Sequence, residues 1–343
     1  MSNIANIDEL RKPSNGTGKD IITLLEHPKM KAGIKHVVGQ VMSPDRLLRL
    51  ATGAIKRTPK LQLCDPQTVL GCVMTAAALG LEPNTPLQHA WLIPYNKRRK
   101  EGRNWVDFYE CQIQIGYRGF VTIAGRAHIA LDGECIREND FFDYQKGTSP
   151  FLNFKANLAD RGQPIGSYAI SKQSNEYGFT VLSLSDIHKA RDKSETYRYL
   201  LSAEGKEKQL NETPWVLWFD DMATKTAVKK RVKLIPMESG TETAALGAAV
   251  EIDSMADMGK LDTRMMVDPD AAADLIQGGN MPVIEHDDEG EAVDVAPTNE
   301  IPERLLDTLN DLRDMEPAKA QQKLQASKLS PEDKALLAAK LAE

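Results

Sequence analysis

Cysteine is scarce in this chain. The four residues, Cys64, Cys72, Cys111 and Cys135, are scattered along 343 positions, with no C-x2-C pair and no histidine nearby at metal-ligand spacing. A disulfide framework belongs to shorter, cysteine-dense chains and a zinc site needs paired ligands, so neither is expected. The six histidines, His27, His36, His89, His128, His188 and His286, are equally dispersed. No apolar run approaches the ~20 residues of a membrane span. The opening stretch, MSNIANIDELRKPSNGTGKD, lacks the basic-then-apolar order of a secretory signal. These absences predict a cytoplasmic protein without a membrane partner. G-x-G-x-x-G, G-x-S-x-G and H-E-x-x-H are missing too. The one glycine-rich stretch, NGTGKD at 15–20, lacks the four-residue spacer of a phosphate loop and has Asp20 where a magnesium-binding Ser or Thr belongs. Catalysis and cofactors are therefore not expected, and magnesium dependence stays open.

What is present is ordinary for a globular protein, 41% apolar and 27% charged residues, with the charge unevenly spread. Residues 253–343 hold 21 acidic and nine basic residues, which leaves 1–252 at a net +6 within a total of −6. An acidic tail on a basic body points to a polyanion partner or an interaction tail. The length exceeds what one core usually fills, roughly 250–300 residues. Composition divides it into a polar N-terminus (1–19), a core (20–260), an acidic, breaker-rich linker (261–300) and a helical module (301–343). The module's apolar stripe, Leu305, Leu306, Leu309 and Leu312, is too small to bury well alone and predicts docking on a partner.

Local patterns predict an α+β core, a small antiparallel sheet of hairpins flanked by helices. Ser43-Pro44 and Asp65-Pro66 are helix starts, each followed by apolar residues at helical spacing. Residues 89–95 and 105–117 alternate as two strands around a long basic turn, NKRRKEGRN. A short helix over 118–129, a strand over 130–144, a second hairpin (165–171 with 177–184), a helix over 185–193, a long helix from Thr213-Pro214 to about Leu234 and an alanine-rich helix over 240–260 follow.

The basic turn, with Lys97, Arg98, Arg99, Lys100 and Arg103, reads either as a solvated loop or as a phosphate grip helped by Trp91, Tyr95, Trp105 and Tyr109. In the long helix Lys225, Lys229 and Lys233 form one stripe, with Lys230 and Arg231 beside it. The stripe continues the apolar face of Trp215, Trp218, Phe219 and Met222. Either the stems lie along apolar surface or this half of the helix enters a groove containing an anion. Gln112 and Gln114 fall on the face of their strand opposite Cys111 and Ile113, either as exposed polar surface or as groups that order a nucleic-acid backbone. Tyr117 and Arg118 open a tight turn, either as DNA contacts or in a structural role, and Arg126, within the short helix over 118–129, is a further candidate DNA contact. A nuclease reading rests on Glu134, Glu138, Asp140 and Asp143, but strand alternation scatters these over both faces.

LIPY (92–95), CQIQIGYRG (111–119), the END-F-FDY segment (138–144), TPW (213–215) and DDMATKTAVKKRVKLIP (220–236) stand in the order and approximate spacing of the RecT family, which the chain resembles over roughly 60–237. It departs from the family at Arg118, where Lys is common, and in its long basic turn. The resemblance implies a non-catalytic, ATP-independent recombinase that binds single-stranded DNA, assembles on it as a homo-oligomeric ring or helical filament, and pairs complementary strands through an annealed duplex intermediate. It further implies work beside a phage exonuclease or the host single-strand-binding protein, recruited through 301–343. The alternative is a sequence-nonspecific nucleic-acid packaging protein that does not promote pairing.

Overall fold

The computed structural model describes residues 18–38, 41–101, 104–173 and 176–276. Most of the expected N-terminal stretch, the expected linker from 277 onward and the module at 301–343 lie outside the described residues.

Four helices lead: α1 (Gly18–Glu26), α2 (Pro28–Val38), α3 (Pro44–Arg57) and, after a 3-10 turn (Pro59–Leu63), α4 (Pro66–Ala78). The two proline starts behave as their residues dictate. Proline at the first helical position donates no N–H where none is needed, and the Asp65 carboxylate caps α4 by accepting from the Gln67 N–H at 3.0 Å. Next comes a hairpin, β1 (Ala90–Glu101) and β2 (Asn104–Ile115), followed by α5 (Tyr117–Arg126). The strands β3 (Ala130–Arg137), β4 (Phe141–Gln145), β5 (Phe151–Lys155), β6 (Pro164–Gln173) and β7 (Glu176–Ser183) come after it. Short helices α6 (Leu184–Arg191), α7 (Glu195–Ser202), α8 (Glu207–Asn211) and α9 (Pro214–Leu217) precede α10 (Phe219–Val232), α11 (Glu242–Asp257), a 3-10 turn (Thr263–Val267) and α12 (Pro269–Ile276). Three small antiparallel sheets, β1-β2, β3-β6-β7 and β4-β5, sit among these helices, as the α+β expectation requires.

The β1–β2 hairpin buries Ala90, Leu92, Cys111, Ile113 and Ile115 in the main core. The outer edge of β2 is closed by side chains and backbone from other elements. The Tyr109 carbonyl accepts from the Asp65 N–H, the Cys111 N–H donates to Thr68 Oγ1, and the Ile115 N–H donates to Asp253 Oδ1 at 2.9 Å. An edge satisfied in this way offers no free ladder to another strand. In β3-β6-β7 the face under α10 is lined by small residues, Gly133 beside Ala169 and Thr180, and Ser171 beside Gly178, which lets the helix lie close. The opposite face is aromatic: Phe142 of β4 stacks on Tyr168 at 5.8 Å, Phe154 of β5 lies 5.2 Å from it, and Tyr177 stacks on Phe179.

Several local expectations change. Lys97–Lys100 lie within β1, because the ladder runs through Glu101↔Asn104 and shortens the turn. The expected strand over 130–144 breaks at 138–140, where Asp140 accepts from the Arg137 N–H and turns the chain into β4. The long helix breaks at Trp218 (φ −130°, ψ 51°), separating α9 from α10. Residues 261–276, expected to begin the linker, are part of the core: Leu261, Thr263, Met266, Val267 and Ala272 are buried. Arg264 pairs with Asp65 at 3.1 Å and with Glu110. The acidic composition misled there because Asp262 and Asp268 serve as caps and turn residues at helix starts. No helix among the described residues is long and apolar enough to cross a membrane.

Candidate nucleic-acid interface

Two cations of α10, Lys225 and Lys229, face inward. Lys225, only 9% exposed, donates to Asp253 Oδ1 at 2.9 Å, and Lys229 donates to Asp253 Oδ2 at 2.8 Å and Asp257 Oδ2 at 3.1 Å. Asp253 is wholly buried and also accepts the Ile115 N–H, so one carboxylate ties α10 and α11 to the hairpin edge. Burial alone would push Asp253 up, but the two ammonium groups hold it below the ordinary carboxylate range. Burial likewise opposes the charge on Lys229, and Asp253 with Asp257 outweighs it, raising that lysine. The anion expected in front of this helix is therefore the protein's own, and Lys225 and Lys229 are not open to a phosphate. Lys233 lies half-exposed, 3.3 Å from Glu251.

Other expected contacts are also committed inside the molecule. Lys97 donates to the Gly259 carbonyl at 3.3 Å and lies 3.6 Å from Glu195. Arg126 caps the end of α4 through the Leu79 and Gly80 carbonyls and pairs with Glu242 at 3.1 Å. Arg98 pairs across the hairpin with Asp107 at 2.8 Å. The polar face of β2 is covered: Gln114 donates to the Tyr95 hydroxyl at 2.8 Å, and Gln112 is 2% exposed with neither amide atom hydrogen-bonded. Tyr117, pushed up to about 12 by burial and by Asp132, is half-buried against β3. The side chains of Arg99, Lys100 and Arg103 lie outside the described residues.

A smaller set stays available. Arg118 at the start of α5 and Lys230 on α10 are exposed. Arg231 lies half-buried over Gly178, and its Nε donates to Ser171 Oγ at 2.9 Å. No carboxylate pairs with this guanidinium among the described residues, and burial pulls it below its ordinary pKa. At the same end of the sheet, the cross-strand pair Lys172 and Tyr177 is exposed, with the Tyr177 ring stacked on Phe179. Lys172 and Tyr177 escape a sequence reading because neither stands in a charged run; only the alternation of β6 and β7 places them side by side.

Three of the four carboxylates of the nuclease reading, Glu134, Glu138 and Asp140, are held by guanidinium or backbone groups, and Asp143 is exposed on β4. Arg161 reaches Asp140 at 2.7 Å, Glu134 at 3.2 Å and the Cys135 carbonyl at 2.7 Å. The Arg161 hydrogen bonds, with the Asn157 and Arg137 N–H groups, bring Asp140 down to about 2. Among the described residues no three His, Cys, Asp or Glu side chains converge as a metal site.

Comparison with known proteins gives the RecT family over residues 45–268. Protein RecT of Escherichia coli (strain K12) is 29% identical over 231 residues, covering 66% of this chain and 79% of that protein. An uncharacterized protein, YqaK of Bacillus subtilis (strain 168), is 32% identical over 76 residues, 22% of each chain.

Proposed function

Because the chain belongs to the RecT family, whose matched segment spans every element from α3 to the Thr263–Val267 turn, we propose that it binds single-stranded DNA without sequence preference, assembles on it as a homo-oligomer, and promotes pairing of complementary strands without ATP. DNA recombination by strand annealing is the activity of the family. The observation that supports the finer reading best is Arg231, a guanidinium held by Ser171 and lacking a carboxylate among the described residues, next to the exposed Lys230 on the same helix, with the exposed Lys172 and Tyr177 at the same end of the sheet on its opposite face. Phosphate contacts by such cations neutralise the backbone, and a tyrosine ring stacks on any base, so neither reads sequence. Annealing makes and breaks no covalent bond and needs no nucleophile or base. Recruitment of a phage exonuclease or the host single-strand-binding protein through 301–343 completes the reading.

The test combines anisotropy with a labelled oligonucleotide and a two-strand annealing assay without nucleotide. If about five phosphates are contacted per subunit, log affinity falls against log salt with a slope near −3.5. Arg231→Ala lowers affinity about tenfold, the order of one charge-assisted contact. Binding without acceleration of pairing would instead identify a packaging protein.

A further inference from the structure

Three consecutive large apolar side chains meet solvent at the break between α9 and α10. Val216, Leu217 and Trp218 are 44%, 54% and 58% exposed, and no other two adjacent large apolar residues are exposed among the described residues. Local geometry produces this display. Trp215 is buried and pins the Pro214–Leu217 turn to the core, and the chain breaks at Trp218 before α10 can begin, so the three side chains after Trp215 share no inward face. The surroundings are acidic. Residues 209–224 hold Glu212, Asp220 and Asp221 and no Lys or Arg. Asp220 is taken by Arg137 at 2.7 Å, whereas Glu212 and Asp221 are exposed and have no ion-pair partner among the described residues. An exposed apolar cluster rimmed by charge marks a contact surface.

A surface of the opposite character lies on α2 and α3. Residues 26–60 hold eight Lys and Arg against Glu26 and Asp45, a net +6, and the apolar residues of both helices take the buried faces. Beside α3 is an open cleft of about 370 Å³, with Leu48, Thr52 and Gly53 in its inner part. Lys31, Arg49 and Lys56 line its exposed part and have no ion-pair partner among the described residues. Glu26 and Asp45 line it too, which makes it a poor seat for a continuous phosphate chain. Residues 26–60 also contain no Phe, Tyr or Trp. A protein surface that brings an aromatic ring and separate carboxylates suits this cleft better. The ring covers the inner part and offers its face to the cations, and the carboxylates pair with them.

We propose that these two faces meet between successive subunits: Trp218 and Leu217 of one copy seat in the α2–α3 cleft of the next, with Glu212 and Asp221 set against Arg49 and Lys56. The inference rests on the homo-oligomer reading above and adds the surfaces that build the oligomer. A second copy is the occupant because each face carries what the other lacks. One is an apolar cluster with unpaired carboxylates, and the other is a recess with unpaired cations. The two faces differ, so the contact is head-to-tail and leaves one face free at each end. Repetition then gives a closed ring or an open helical filament. Lys230 and Arg231 lie about 15 Å beyond Asp221 along α10, so the contact leaves that end of the helix open.

The experiment uses two full-chain variants. Arg49→Glu/Lys56→Glu breaks the cleft and keeps the cluster, and Leu217→Ser/Trp218→Ala breaks the cluster and keeps the cleft. Glu212→Lys/Asp221→Lys is a second cluster variant that spares the apolar residues. All these positions are exposed, and unchanged melting confirms each fold. Sedimentation velocity without DNA reads assembly across rising protein concentration. The parent is expected to pass beyond a dimer, and each variant alone to need about tenfold or more protein to associate. Mixed in equal amounts, the cleft variant and a cluster variant form a one-to-one dimer and stop there, because only one intact cluster and one intact cleft remain. Combining Arg49→Glu/Lys56→Glu with Glu212→Lys/Asp221→Lys in one chain restores assembly beyond the dimer. A variant that assembles like the parent overturns the interface and leaves the oligomer reading intact. Two single-chain variants whose mixture stays unassociated overturn it as well, because each face then meets something other than its proposed partner. Stronger assembly of either variant shows that the chain covers that face itself and overturns it too. A parent that stays a single chain without DNA overturns the interface; its assembly on a long single strand would keep the oligomer reading, and no assembly there would remove both.

Discussion

Helices α3 and α10 are both 14 residues long and both carry cations, yet the fold uses them in opposite ways. On α10 the lysine stripe points inward and meets α11, whose Asp253 and Asp257 repeat at the same four-residue interval as Lys225 and Lys229. On α3 the apolar residues claim the inward face, and among the described residues no helix brings a matching acidic stripe to Arg49, Lys56 and Arg57. The density of positive charge is similar in the two segments. What separates them is the presence of an anionic partner elsewhere in the same chain. A cation run in a sequence therefore locates a surface only after the carboxylates that could claim it have been placed.

Reversing one charge on each helix tests this contrast most strongly. Lys229→Glu would leave Asp253 and Asp257 facing a third carboxylate in a buried site, and about 3–5 kcal/mol of stability should be lost. Lys56→Glu should change stability by no more than about 0.5 kcal/mol. Urea melts of both variants read the difference. Similar losses would mean that the α3 cations are structural too; no loss in Lys229→Glu would mean that its pairs are not formed.

A second inward cation extends the comparison to pH. Arg161→Ala should cost about 1.5–3 kcal/mol, because it removes charge-assisted bonds to Asp140 and Glu134. Asp140 has its folded-state pKa below the ordinary carboxylate value, so its stabilisation is complete above that value and disappears as pH falls through about 2. The gap in melting temperature between the parent and Asp140→Asn should accordingly be constant near neutrality and close between about pH 4 and 2. A gap that persisted below pH 2 would assign the effect to shape rather than charge.

The smallest effect is expected at the tail. A chain ending at Ile276 sheds 15 acidic and seven basic residues. It keeps Asp253, Arg264 and the buried residues of the Thr263–Val267 turn, and its melting temperature should stay within about 2 °C of the parent. Ending the chain at 252 removes Asp253 and abolishes the folded state. Calorimetry of the two truncations separates tail from core.

Much of the fold was legible because local rules carry it. The proline-marked starts of α3 and α4, the alternation of β1 with β2, the hairpin of β6 with β7 and the alanine-rich α11 all follow from period and capping. The fold of 261–276 was not legible, since burial of Thr263 and Met266 depends on α4 and β2 far away in sequence. Tyr95 and Gln114 illustrate the same limit at the candidate site. Alternation put Gln114 on the polar face of β2, but only α7, α11 and the loop after it decide whether that face is wet. Lys97 is covered for the same reason, its ammonium tied to Gly259 across 162 positions. The RecT-family motifs located the domain well, because they mark the packed framework of hairpin, α5 and α10 as much as any surface.

The contact of α4 with the Thr263–Val267 turn has a consequence for the order of assembly during synthesis. Any side chain at position 71 would overlap the Thr263 carbonyl, and Arg264 closes on Asp65 and Glu110 across 199 and 154 positions. At about 5–20 residues per second, a ribosome needs roughly 10–40 s to travel from Asp65 to Arg264. Throughout that interval the apolar flank of α4 and the edge of β2 wait for a cover not yet made. The nascent chain thus carries its own temporary adhesive surface, and the length of that exposure is set by translation speed rather than by the rate at which the finished domain folds.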